Sequence, residues 1–486
     1  MQIPTHRITA ALTAAELLVE VRGTLPEQVT SAEDDSRRVT AGGLFIAVKG
    51  RERDGHDYLD RARDAGAAMA VVEDGRRTSL PAIVVRNGRA AVAIVAAAAF
   101  DWPVRQLRLI GITGTNGKTT TAHILRHLLE TPKAKAASIG TVGVLVGSEG
   151  LVLGDPGLTT PGPIELQRSL RALVDAGVGH VAMEVSSHAL HQRRVDGLDF
   201  EAAVFTNLSR DHLDYHKSMD EYREAKGRLC LHLAPHGTVV VNVDDPAWRA
   251  LRTDRRKVGF STRSTAEVHA QDITYSQNGS TWTLVTGAER HQVRLPLIGD
   301  FNVSNALAAA AAAYAVGVPS ETIAARLSNL PQVPGRLEVV HERPTVLRDY
   351  AHTPDALARA LQAVRPFTRG RLIVLFGAGG DRDRGKRPQM GAIAERLADH
   401  AIITSDNPRT ENPEAILDEI EAGMTGTNHE RIEDRREAIA RALALADADD
   451  VVLLAGKGHE TYQIRGTEKL PFDEQVIVSE LTKSRA

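Results

Sequence analysis

A segment rich in glycine and threonine follows an apolar, strand-like run and precedes a helical pattern. It reads Gly111-Ile112-Thr113-Gly114-Thr115-Asn116-Gly117-Lys118-Thr119-Thr120. Backbone N–H groups in such a turn face an anion, the helix N-terminus adds positive potential, and Lys118 can reach the β- and γ-phosphates of a nucleotide. Ile112 stands where the strict P-loop pattern has glycine, and a turn without a ligand is the alternative. The order of strand, turn, Lys-Thr and helix predicts that ATP binds here, with Thr119 placed to hold Mg²⁺.

A carboxylate and an imidazole follow later strand-like runs. Glu184 comes directly after His180–Met183, and His212 follows Ala202–Phe205. At adjacent strand ends, these two side chains would bind one Mg²⁺ between the γ-phosphate and an acceptor carboxylate. Each residue has a simpler explanation on its own: Glu184 as a capping or salt-bridging carboxylate, and His212 as a hydrogen-bonded structural histidine. Lys226 by itself would be a solvated helix lysine.

The elements that must position these residues alternate between strand and helix patterns, which predicts an α/β fold. A chain of 486 residues accommodates roughly three domains. The domain boundaries are placed where turn-forming residues interrupt the pattern, at Asp101–Pro103 and at the Pro/Gly cluster Pro331–Gly335. We therefore predict domains at residues 1–104, 105–335 and 336–486.

Short apolar runs predict the strands of these domains. In the first domain they are Leu44–Val48, Ala68–Val72 and Ile83–Val85, and in the last they are Leu372–Phe376, Ala401–Thr404 and Val451–Leu454. Alternating residues near Val268–Leu297 predict hairpins. Each of the last three strands precedes a polar turn, and such turns gather at the carboxyl ends of parallel strands, where ligands bind.

Composition excludes several classes of protein. The net charge of -3 gives no global basic field for nucleic acid, and the single cysteine, Cys230, cannot form an internal disulfide. Met1–Glu20 lacks the pattern of a signal peptide. The longest apolar runs, Ala90–Phe100 and Ala306–Val318, are shorter than the roughly 20 residues that a membrane span needs and predict buried helices. We expect a cytoplasmic monomer without nucleic-acid or membrane partners.

Motifs spread in order along the chain resemble those of the Mur ligases, which build the peptide stem of bacterial peptidoglycan. They are Gly114–Thr120, Glu184–Ala189, Asn207–His216, Asp300–Asn305, Pro334–Glu338 and Asp349–Asp355. The resemblance implies a uridine-nucleotide-binding N-terminal α/β domain, a central P-loop ATPase domain with a parallel sheet, and a Rossmann-like C-terminal domain. It also implies a ligase that uses ATP and Mg²⁺ to activate a carboxylate as an acyl phosphate and couples it to an amino acid.

The resemblance assigns roles to individual residues. The catalytic residues would be Lys118, Glu184, His212 and Lys226. The Mg²⁺ ligands would be Thr119, Glu184, His212 and Lys226, the last as a carbamate, which turns a cation into an anion. The ATP-binding residues would be Gly114, Thr115, Asn116, Gly117, Lys118, Thr119, Thr120, Asn302, Asn305, Arg336, Asp349 and His352.

The N-terminal domain resembles that of the members that add the third stem residue, which implies UDP-N-acetylmuramoyl-L-alanyl-D-glutamate as acceptor. The acceptor-binding residues would be Ser36, Arg51, Glu52, Arg53, Thr159, Thr160, Ser186, Gln192 and Arg194. Two of these positions have simpler explanations. Asp35-Ser36-Arg37 would also suit a turn or a helix cap, and Thr160 would cap a helix with Pro161 in its first turn.

Asp406-Asn407-Pro408-Arg409 resembles the signature of the members that add meso-diaminopimelate. The resemblance implies that Arg409 pairs with the distal carboxylate, which lysine lacks, and lysine-adding members lack this arginine. A buried arginine left unpaired is costly, so the contact would reject lysine. The amino-acid-binding residues would be Arg382, Asp406, Asn407, Pro408, Arg409, Gly456 and Glu460. A surface arginine after a turn proline is the alternative for Arg409.

Two other functions remain open from the sequence. A folylpolyglutamate synthetase-like ligase shares the fold and chemistry, but its P-loop tends to end Gly-Lys-Gly-Ser, whereas this chain has Gly117-Lys118-Thr119-Thr120. A non-catalytic nucleotide-binding protein of the same fold is the second alternative, since a fold alone does not establish activity. The presence of Lys118, Glu184, His212 and Lys226 favours the ligase.

Overall fold

A computed structural model of the chain describes residues 2–50, 53–132, 134–148, 151–154, 157–276 and 278–483. Contacts divide it into two compact units. The first comprises residues 1–270, 284–291 and 304–326, and the second comprises residues 271–283, 292–303 and 327–486. Strands and helices alternate through both units, which confirms the predicted α/β fold. The boundaries near residues 104 and 335 stay a prediction.

The first unit begins with a five-stranded sheet of order β2-β7-β6-β5-β4, in which only the edge strand β2 is antiparallel. Residues 1–104 contain the strands β1 (Ile3–Pro4), β2 (Leu18–Arg22), β3 (Gln28–Val29), β4 (Ala32–Glu33), β5 (Leu44–Ile46), β6 (Met69–Val72) and β7 (Ala82–Val85). The helices are α1 (Thr5–Ala14), α2 (Leu59–Asp64) and α3 (Gly88–Ala99). The predicted strands are confirmed to within two residues because their apolar runs are buried in the sheet.

The longest sheet has β8 near its middle. The strands are β8 (Arg108–Thr113), β9 (Lys135–Gly140), β10 (Gly143–Val146), β11 (Leu151–Gly154), β12 (Val178–Glu184), β13 (Phe200–Phe205), β14 (Leu233–Asn242), β15 (Lys257–Ser261), β16 (Val268–Ser276), β17 (Gly279–Thr286) and β18 (Glu289–Leu295). The helices are α4 (Lys118–Leu129), α5 (Pro163–Asp175), α6 (Ser187–His191), α7 (Leu213–His216), α8 (Met219–Gly227), α9 (Pro246–Arg249), α10 (Asp300–Ala315) and α11 (Ser320–Ser328). Strands β16 to β18 confirm the predicted β-rich segment.

Strands β9, β12, β8, β13, β14 and β15 are neighbours in that order and run parallel. The strands that carry Glu184 and precede His212 therefore flank β8 and do not pair with each other. The expectation of adjacent strand ends was wrong, because the strand leading into the glycine-rich turn lies between them. All three carboxyl ends still meet at one edge of the sheet, with the turn after β8 in the centre.

A six-stranded sheet of order β19-β20-β24-β21-β22-β23 forms the core of the second unit, and only β19 is antiparallel. The strands are β19 (Glu338–Glu342), β20 (Thr345–Asp349), β21 (Leu372–Phe376), β22 (His400–Ile403), β23 (His429–Arg431), β24 (Val451–Ala455), β25 (Tyr462–Arg465) and β26 (Glu468–Pro471). The helices are α12 (Pro354–Val364), α13 (Lys386–Leu397), α14 (Pro413–Glu421), α15 (Arg435–Leu445) and α16 (Glu474–Lys483). The polar turns after β21, β22 and β24 lie at one edge, as predicted.

The two long apolar runs form buried helices, as predicted. Ala90–Phe100 lies largely in α3, whose N-cap residue Asn87 accepts a hydrogen bond from the backbone N–H of Ala90. Ala306–Ala313 lies within α10, and its side chains are fully buried. Across the described residues, we find no helix with the length and apolar character of a membrane span.

A buried ion pair braces the carboxyl edge of the second sheet. Arg435, the first residue of α15, and Glu474, the first residue of α16, form a contact of 2.8 Å with both side chains fully enclosed. Arg435 also donates to the backbone oxygens of Ser405, at 3.3 Å, and Ala455, at 2.9 Å. Because these oxygens follow β22 and end β24, one guanidinium fixes the two loops that begin there.

We expect Arg435→Met to lower the free energy of unfolding by roughly 3–5 kcal/mol, because it leaves the carboxylate of Glu474 buried without its cation. The adjacent Arg436 pairs with Glu480 at the surface, with both side chains about half exposed. Arg436→Met is therefore the matched control and should cost less than about 1 kcal/mol. Urea-induced unfolding of both variants measures the difference, and equal midpoints would contradict the bracing role.

Candidate active site

Two glycines shape the turn between β8 and α4. Gly114 has φ of 151° and Gly117 has φ of 83°, conformations that L side chains rarely adopt. A Cβ on Gly114 would lie 1.9 Å from Thr206 Oγ1, and a Cβ on Gly117 would lie 2.2 Å from Asn305 Oδ1. Both positions therefore require glycine, and the predicted ATP-binding residue Asn305 lies against the turn.

The end of the neighbouring strand β13 fixes the backbone of this turn. Asn207 accepts hydrogen bonds from the N–H of Thr115 through its backbone oxygen and from the N–H of Asn116 through Oδ1, both at 2.9 Å. Helix α4 begins at Lys118 and has no acidic residue in its first turn, and its N-cap is a glycine. A helix N-terminus without acidic groups, preceded by an ordered turn, is typical of a phosphate site.

Two lysine ammonium groups converge on the turn. Lys118 Nζ donates to the backbone oxygens of Gly114, at 3.0 Å, and Thr115, at 2.7 Å, and Lys226 Nζ donates to the same oxygen of Gly114 at 2.7 Å. Lys226 is 1% exposed, so it is not a solvated helix lysine. Burial, and then the nearby charge of Lys118, lowers the pKa of Lys226 well below its usual range. The lowered pKa favours the neutral amine, which is the form that can react with carbon dioxide.

Glu184 lies at the end of β12, and its carboxylate contacts Thr119 and Thr141. Its Oε2 accepts from Thr119 Oγ1 at 3.0 Å, and its Oε1 accepts from the N–H of Thr141 at 2.9 Å. A Cβ on Gly140 would lie 2.0 Å from Oε1, so glycine is needed there for the carboxylate to fit. Through Thr119, Glu184 contacts the first turn of α4.

The oxygen atoms of Thr119 and Glu184 suit a hard cation. Both side chains are buried and their hydroxyl and carboxylate oxygens lie 3.0 Å apart, and Mg²⁺ prefers oxygen ligands. Among the described residues, no group of three His, Cys, Asp or Glu side chains is arranged to hold a metal ion. Mg²⁺ held by one or two protein side chains commonly keeps water and phosphate oxygens among its ligands.

His212 lies at the start of α7 with φ of 53°. Burial lowers its pKa, against the opposing charge of Asp211, and this favours the neutral imidazole, which is the form that binds metals. Its ring lies 4.8 Å from that of His188 and 6.1 Å from that of Tyr222. Tyr222 in turn hydrogen-bonds Thr115 at 3.3 Å, so His212 belongs to the surroundings of the turn.

Several predicted acceptor-binding residues gather beside Glu184. Thr160 Oγ1 donates to the backbone oxygen of Glu184 at 2.9 Å and accepts from the N–H of Ser186 at 3.0 Å. Arg194 donates to the backbone oxygen of Thr160 at 2.8 Å and to Gln192 Oε1 at 2.7 Å. These contacts tie the guanidinium of Arg194, through Thr160, to the backbone at the end of β12.

The alternative explanation of Thr160 as a helix cap was wrong. Helix α5 begins at Pro163 with Gly162 as its N-cap, because the Thr160 hydroxyl is already used by the end of β12. Thr159 Oγ1 lies 3.1 Å from Thr141 Oγ1, which places it in the same cluster.

The remaining predicted acceptor residues lie in the N-terminal sheet domain. Ser36 is 7% exposed and occupies a turn after β4, which confirms the turn explanation of Asp-Ser-Arg. Arg53 is exposed, and its backbone oxygen accepts from the N–H of Gly50. Arg51 and Glu52 lie outside the described residues.

In the second unit, three predicted ATP-binding residues surround Tyr350. The guanidinium of Arg336 lies 5.0 Å from the ring of Tyr350, and His352 Nδ1 lies 2.8 Å from its backbone oxygen. Asp349 accepts from the backbone N–H groups of Leu337, at 2.8 Å, and Ala351, at 2.9 Å. The arrangement orders the start of the C-terminal sheet domain around one aromatic ring.

The contacts described around the ring of Tyr350 do not involve Asn302. Its Nδ2 donates to the backbone oxygen of Ile298 at 2.8 Å, and its side chain is buried.

The Asp406–Arg409 segment forms a polar pocket with the loop after β24. Asn407 Nδ2 donates to Glu460 Oε2 at 2.9 Å. A Cβ on Gly456 would lie 2.5 Å from Asp406 Oδ2, so the two loops touch where glycine allows it. Burial raises the pKa of Asp406, but the cations Lys457 and Arg435, followed by others, outweigh this effect and lower it.

Arg409 is anchored in the same pocket and is not a loose surface arginine. It has φ of 52°, and its Nη1 donates to the backbone oxygen of Gly380 at 2.8 Å. Its backbone N–H donates to the oxygen of Ile464 at 3.1 Å, and its own oxygen accepts from the N–H of Gly466 at 2.7 Å. A Cβ on Gly379 would lie 2.9 Å from Arg409 Nη1 and 3.7 Å from Arg382 Cγ, so both arginines border one loop.

Sequence reasoning did not identify two residues of these sites, Arg387 and Lys457. Arg387 is fully buried and binds Glu411 and Glu419, which ties α13 to the segment after Arg409. Lys457 is also fully buried, in the loop after β24. No short motif marks them, because a buried cation is recognised only from the acids that the fold brings to it.

Family models match in three successive parts of the chain. They describe the Mur ligase family catalytic domain at residues 29–108, the Mur ligase middle domain at residues 112–313, and the Mur ligase glutamate ligase domain at residues 335–458. A curated relative from Bacillus cereus, named UDP-N-acetylmuramoyl-L-alanyl-D-glutamate--2,6-diaminopimelate ligase, is 44% identical over 468 residues. The match covers 94% of this chain and 95% of the relative.

Solved structures agree with these matches. A structure of a UDP-N-acetylmuramoyl-L-alanyl-D-glutamate--2,6-diaminopimelate ligase is 32% identical and has a TM-score of 0.70, covering 100% of this chain and 99% of its own. Folylpolyglutamate synthase of Mycobacterium tuberculosis, complexed with ADP and AMPPCP, is 19% identical and has a TM-score of 0.62. It covers 76% of this chain and 92% of its own, and shares the fold alone. The chain belongs to the Mur ligase family of ATP-dependent amide-bond-forming ligases.

Proposed function

We propose that this chain joins meso-2,6-diaminopimelate to the D-glutamate of UDP-N-acetylmuramoyl-L-alanyl-D-glutamate, converting ATP to ADP and phosphate in cytoplasmic peptidoglycan synthesis. The pocket of Asn407, Arg409 and Glu460 carries this proposal, because it sets a cation and an amide donor beside a carboxylate. An amino acid whose far end is itself a carboxylate and an ammonium group matches that arrangement. The name of the Bacillus cereus relative gives the same pair of substrates.

The proposal assigns one task to each part of the chain. Residues 1–104 would bind the uridine nucleotide, with Ser36 and the segment Arg51–Arg53 near it. Residues 105–335 would bind ATP and the acceptor's peptide, and residues 336–486 would bind the amino acid. The protein would act as a monomer. The three family matches fall in the same order and support this division.

The first chemical step is phosphoryl transfer. A carboxylate oxygen of the acceptor attacks the γ-phosphorus of ATP, the bond to the bridging oxygen breaks, and ADP leaves. Lys118 at the turn holds positive charge where the phosphate oxygens accumulate negative charge. Arg194, fixed by Thr160 and Gln192, would hold the anionic acceptor next to the turn.

The second step forms the amide. The amine nitrogen of the amino acid attacks the acyl carbon, loses a proton, and phosphate leaves from the tetrahedral intermediate. Asn407, Arg409 and Glu460 hold the distal end of the amino acid, so the reacting amine is positioned by contacts far from the reacting carbon.

The residues around the turn fit Mg²⁺ and a carbamate. Thr119, Glu184 and His212 would hold one ion, and a carbamate on Lys226 would be a ligand of a second. Bound there, Mg²⁺ would neutralise charge on the transferring phosphoryl group. The depressed pKa of Lys226 supports its modification, because only the neutral amine adds carbon dioxide.

Folylpolyglutamate synthetase activity is less well supported. The relative of that name shares only the fold at 19% identity, whereas the match to the diaminopimelate ligase of Bacillus cereus is 44% identical across 94% of the chain.

Phosphate release from ATP tests the proposed function. With UDP-N-acetylmuramoyl-L-alanyl-D-glutamate present, we expect release with meso-diaminopimelate and almost none with L-lysine, because lysine lacks the distal carboxylate. Lys118→Ala should abolish release and serves as the inactive control. Release with lysine alone would overturn the specificity, and release with neither amino acid would overturn the function.

Arg409→Met should raise the KM for diaminopimelate roughly 10- to 100-fold, since a hydrogen-bonded charge contact contributes about 1.5–3 kcal/mol. The KM for ATP should stay near the wild-type value. Steady-state kinetics measure both constants, with the surface variant Arg436→Met as the control. An unchanged KM for diaminopimelate would contradict the assigned role of Arg409.

Lys226→Ala should be inactive in the same assay, and an added short carboxylate such as acetate should restore part of the activity, because it replaces the carbamate. Chloride at equal ionic strength should restore nothing. Lys118→Ala should not respond to acetate, since that position requires a cation. Full activity of Lys226→Ala without any addition would rule out the carbamate.

A further inference from the structure

Lys457 lies in the loop that follows β24, and its side chain is fully buried. Its Nζ donates to Asn407 Oδ1 at 3.0 Å and to Glu460 Oε2 at 3.2 Å. Both partners belong to the amino-acid pocket proposed above. A buried ammonium is costly unless it is paired and hydrogen-bonded, so these two contacts define where Lys457 can lie.

The contacts of Lys457 determine the orientation of the Asn407 side-chain amide. Asn407 Oδ1 accepts from Lys457 Nζ and also from the backbone N–H of Ile464, at 2.9 Å. A carbonyl oxygen has two lone pairs, so both are used. The NH2 group must then lie on the opposite side, where one of its hydrogens is donated to Glu460 Oε2 at 2.9 Å. Its second hydrogen remains for a ligand.

Glu460 is oriented by the same lysine. Its Oε2 accepts from Lys457 and from Asn407, while Oε1 takes part in neither contact. The pocket thus offers an N–H from Asn407 and an anionic oxygen from Glu460 at neighbouring positions.

We propose that Lys457 is a positioning residue that fixes Asn407 as a hydrogen-bond donor and Glu460 as an acceptor for the distal carboxylate and ammonium of the incoming amino acid. This inference rests on the proposed function. Without Lys457, the amide of Asn407 keeps only its contacts with Ile464 and Glu460, so a rotation that presents its oxygen, which repels a carboxylate, costs less. Lys457 itself lies behind both side chains and does not touch the substrate.

The first test compares Lys457→Met with the wild-type enzyme in steady-state kinetics. Methionine keeps much of the volume and removes the charge and the donors. We expect the KM for diaminopimelate to rise about 10- to 100-fold, while the KM for ATP and for the UDP-linked acceptor changes less than about twofold. Lys483→Met, at an exposed position in α16, is the matched control. An unchanged KM for diaminopimelate in a folded Lys457→Met variant overturns the inference.

A double-mutant cycle separates positioning from simple structural support. If Lys457 acts through Asn407, the effect of Lys457→Met on the KM for diaminopimelate should shrink in an Asn407→Ala background. Independent effects that multiply would overturn the inference, because they would show that Lys457 does not act through the amide.

Asn407→Asp keeps the test decisive if Lys457→Met does not fold. Aspartate retains the oxygen that faces Lys457 but places a second oxygen where the NH2 group was. We expect the KM for diaminopimelate to rise at least tenfold, whereas wild-type KM would overturn the inference. Wild-type protein that does not use diaminopimelate would remove the proposed function and this inference with it. If the wild-type protein uses diaminopimelate and the variants keep the wild-type KM for it, the inference about Lys457 is overturned and the proposed function stands.

Discussion

The central constraint of the first unit is the placement of two lysine side chains on one backbone oxygen. Lys118 and Lys226 both donate to Gly114, at 3.0 and 2.7 Å. Like charges this close repel each other, and burial adds the cost of lost hydration. The site therefore favours the approach of an anion or the loss of the charge of one lysine. In the proposed function, a nucleotide phosphate would supply that anion, and a carbamate on Lys226 would replace its positive charge.

The strands and glycines around the turn bring other side chains close to these two lysines. Strands β12 and β13 flank β8, so Glu184 and Asn207 reach the turn from opposite sides. Gly114, Gly117 and Gly140 let backbone and side chains approach closer than a Cβ would permit. In the second unit, the buried group is an anion and the surrounding charges are positive. There a buried carboxylate, Asp406, is kept ionised by the cations around it.

The strands and the turn were predictable from the sequence because their signals are local. Leu372–Phe376 is an apolar run that becomes a buried strand with the same bounds. Strand order was not predictable from local pattern, which is why β12 and β13 were expected to be neighbours. Arg387, Arg435 and Lys457 were missed for a related reason. Arg387 and Arg435 pair with acids far away in the chain, such as Glu474, and Lys457 hydrogen-bonds Asn407, 50 residues away.

The amide orientation of Asn407 has a consequence for inhibitor design. A small molecule that fills this pocket must present an acceptor to Nδ2 and a cation to Glu460 at once, because both protein groups are fixed from behind by Lys457. A compound with only one of these charges would leave the other group desolvated and unmatched. Compounds built on a zwitterionic end would therefore select this pocket over sites that receive a neutral or singly charged side chain.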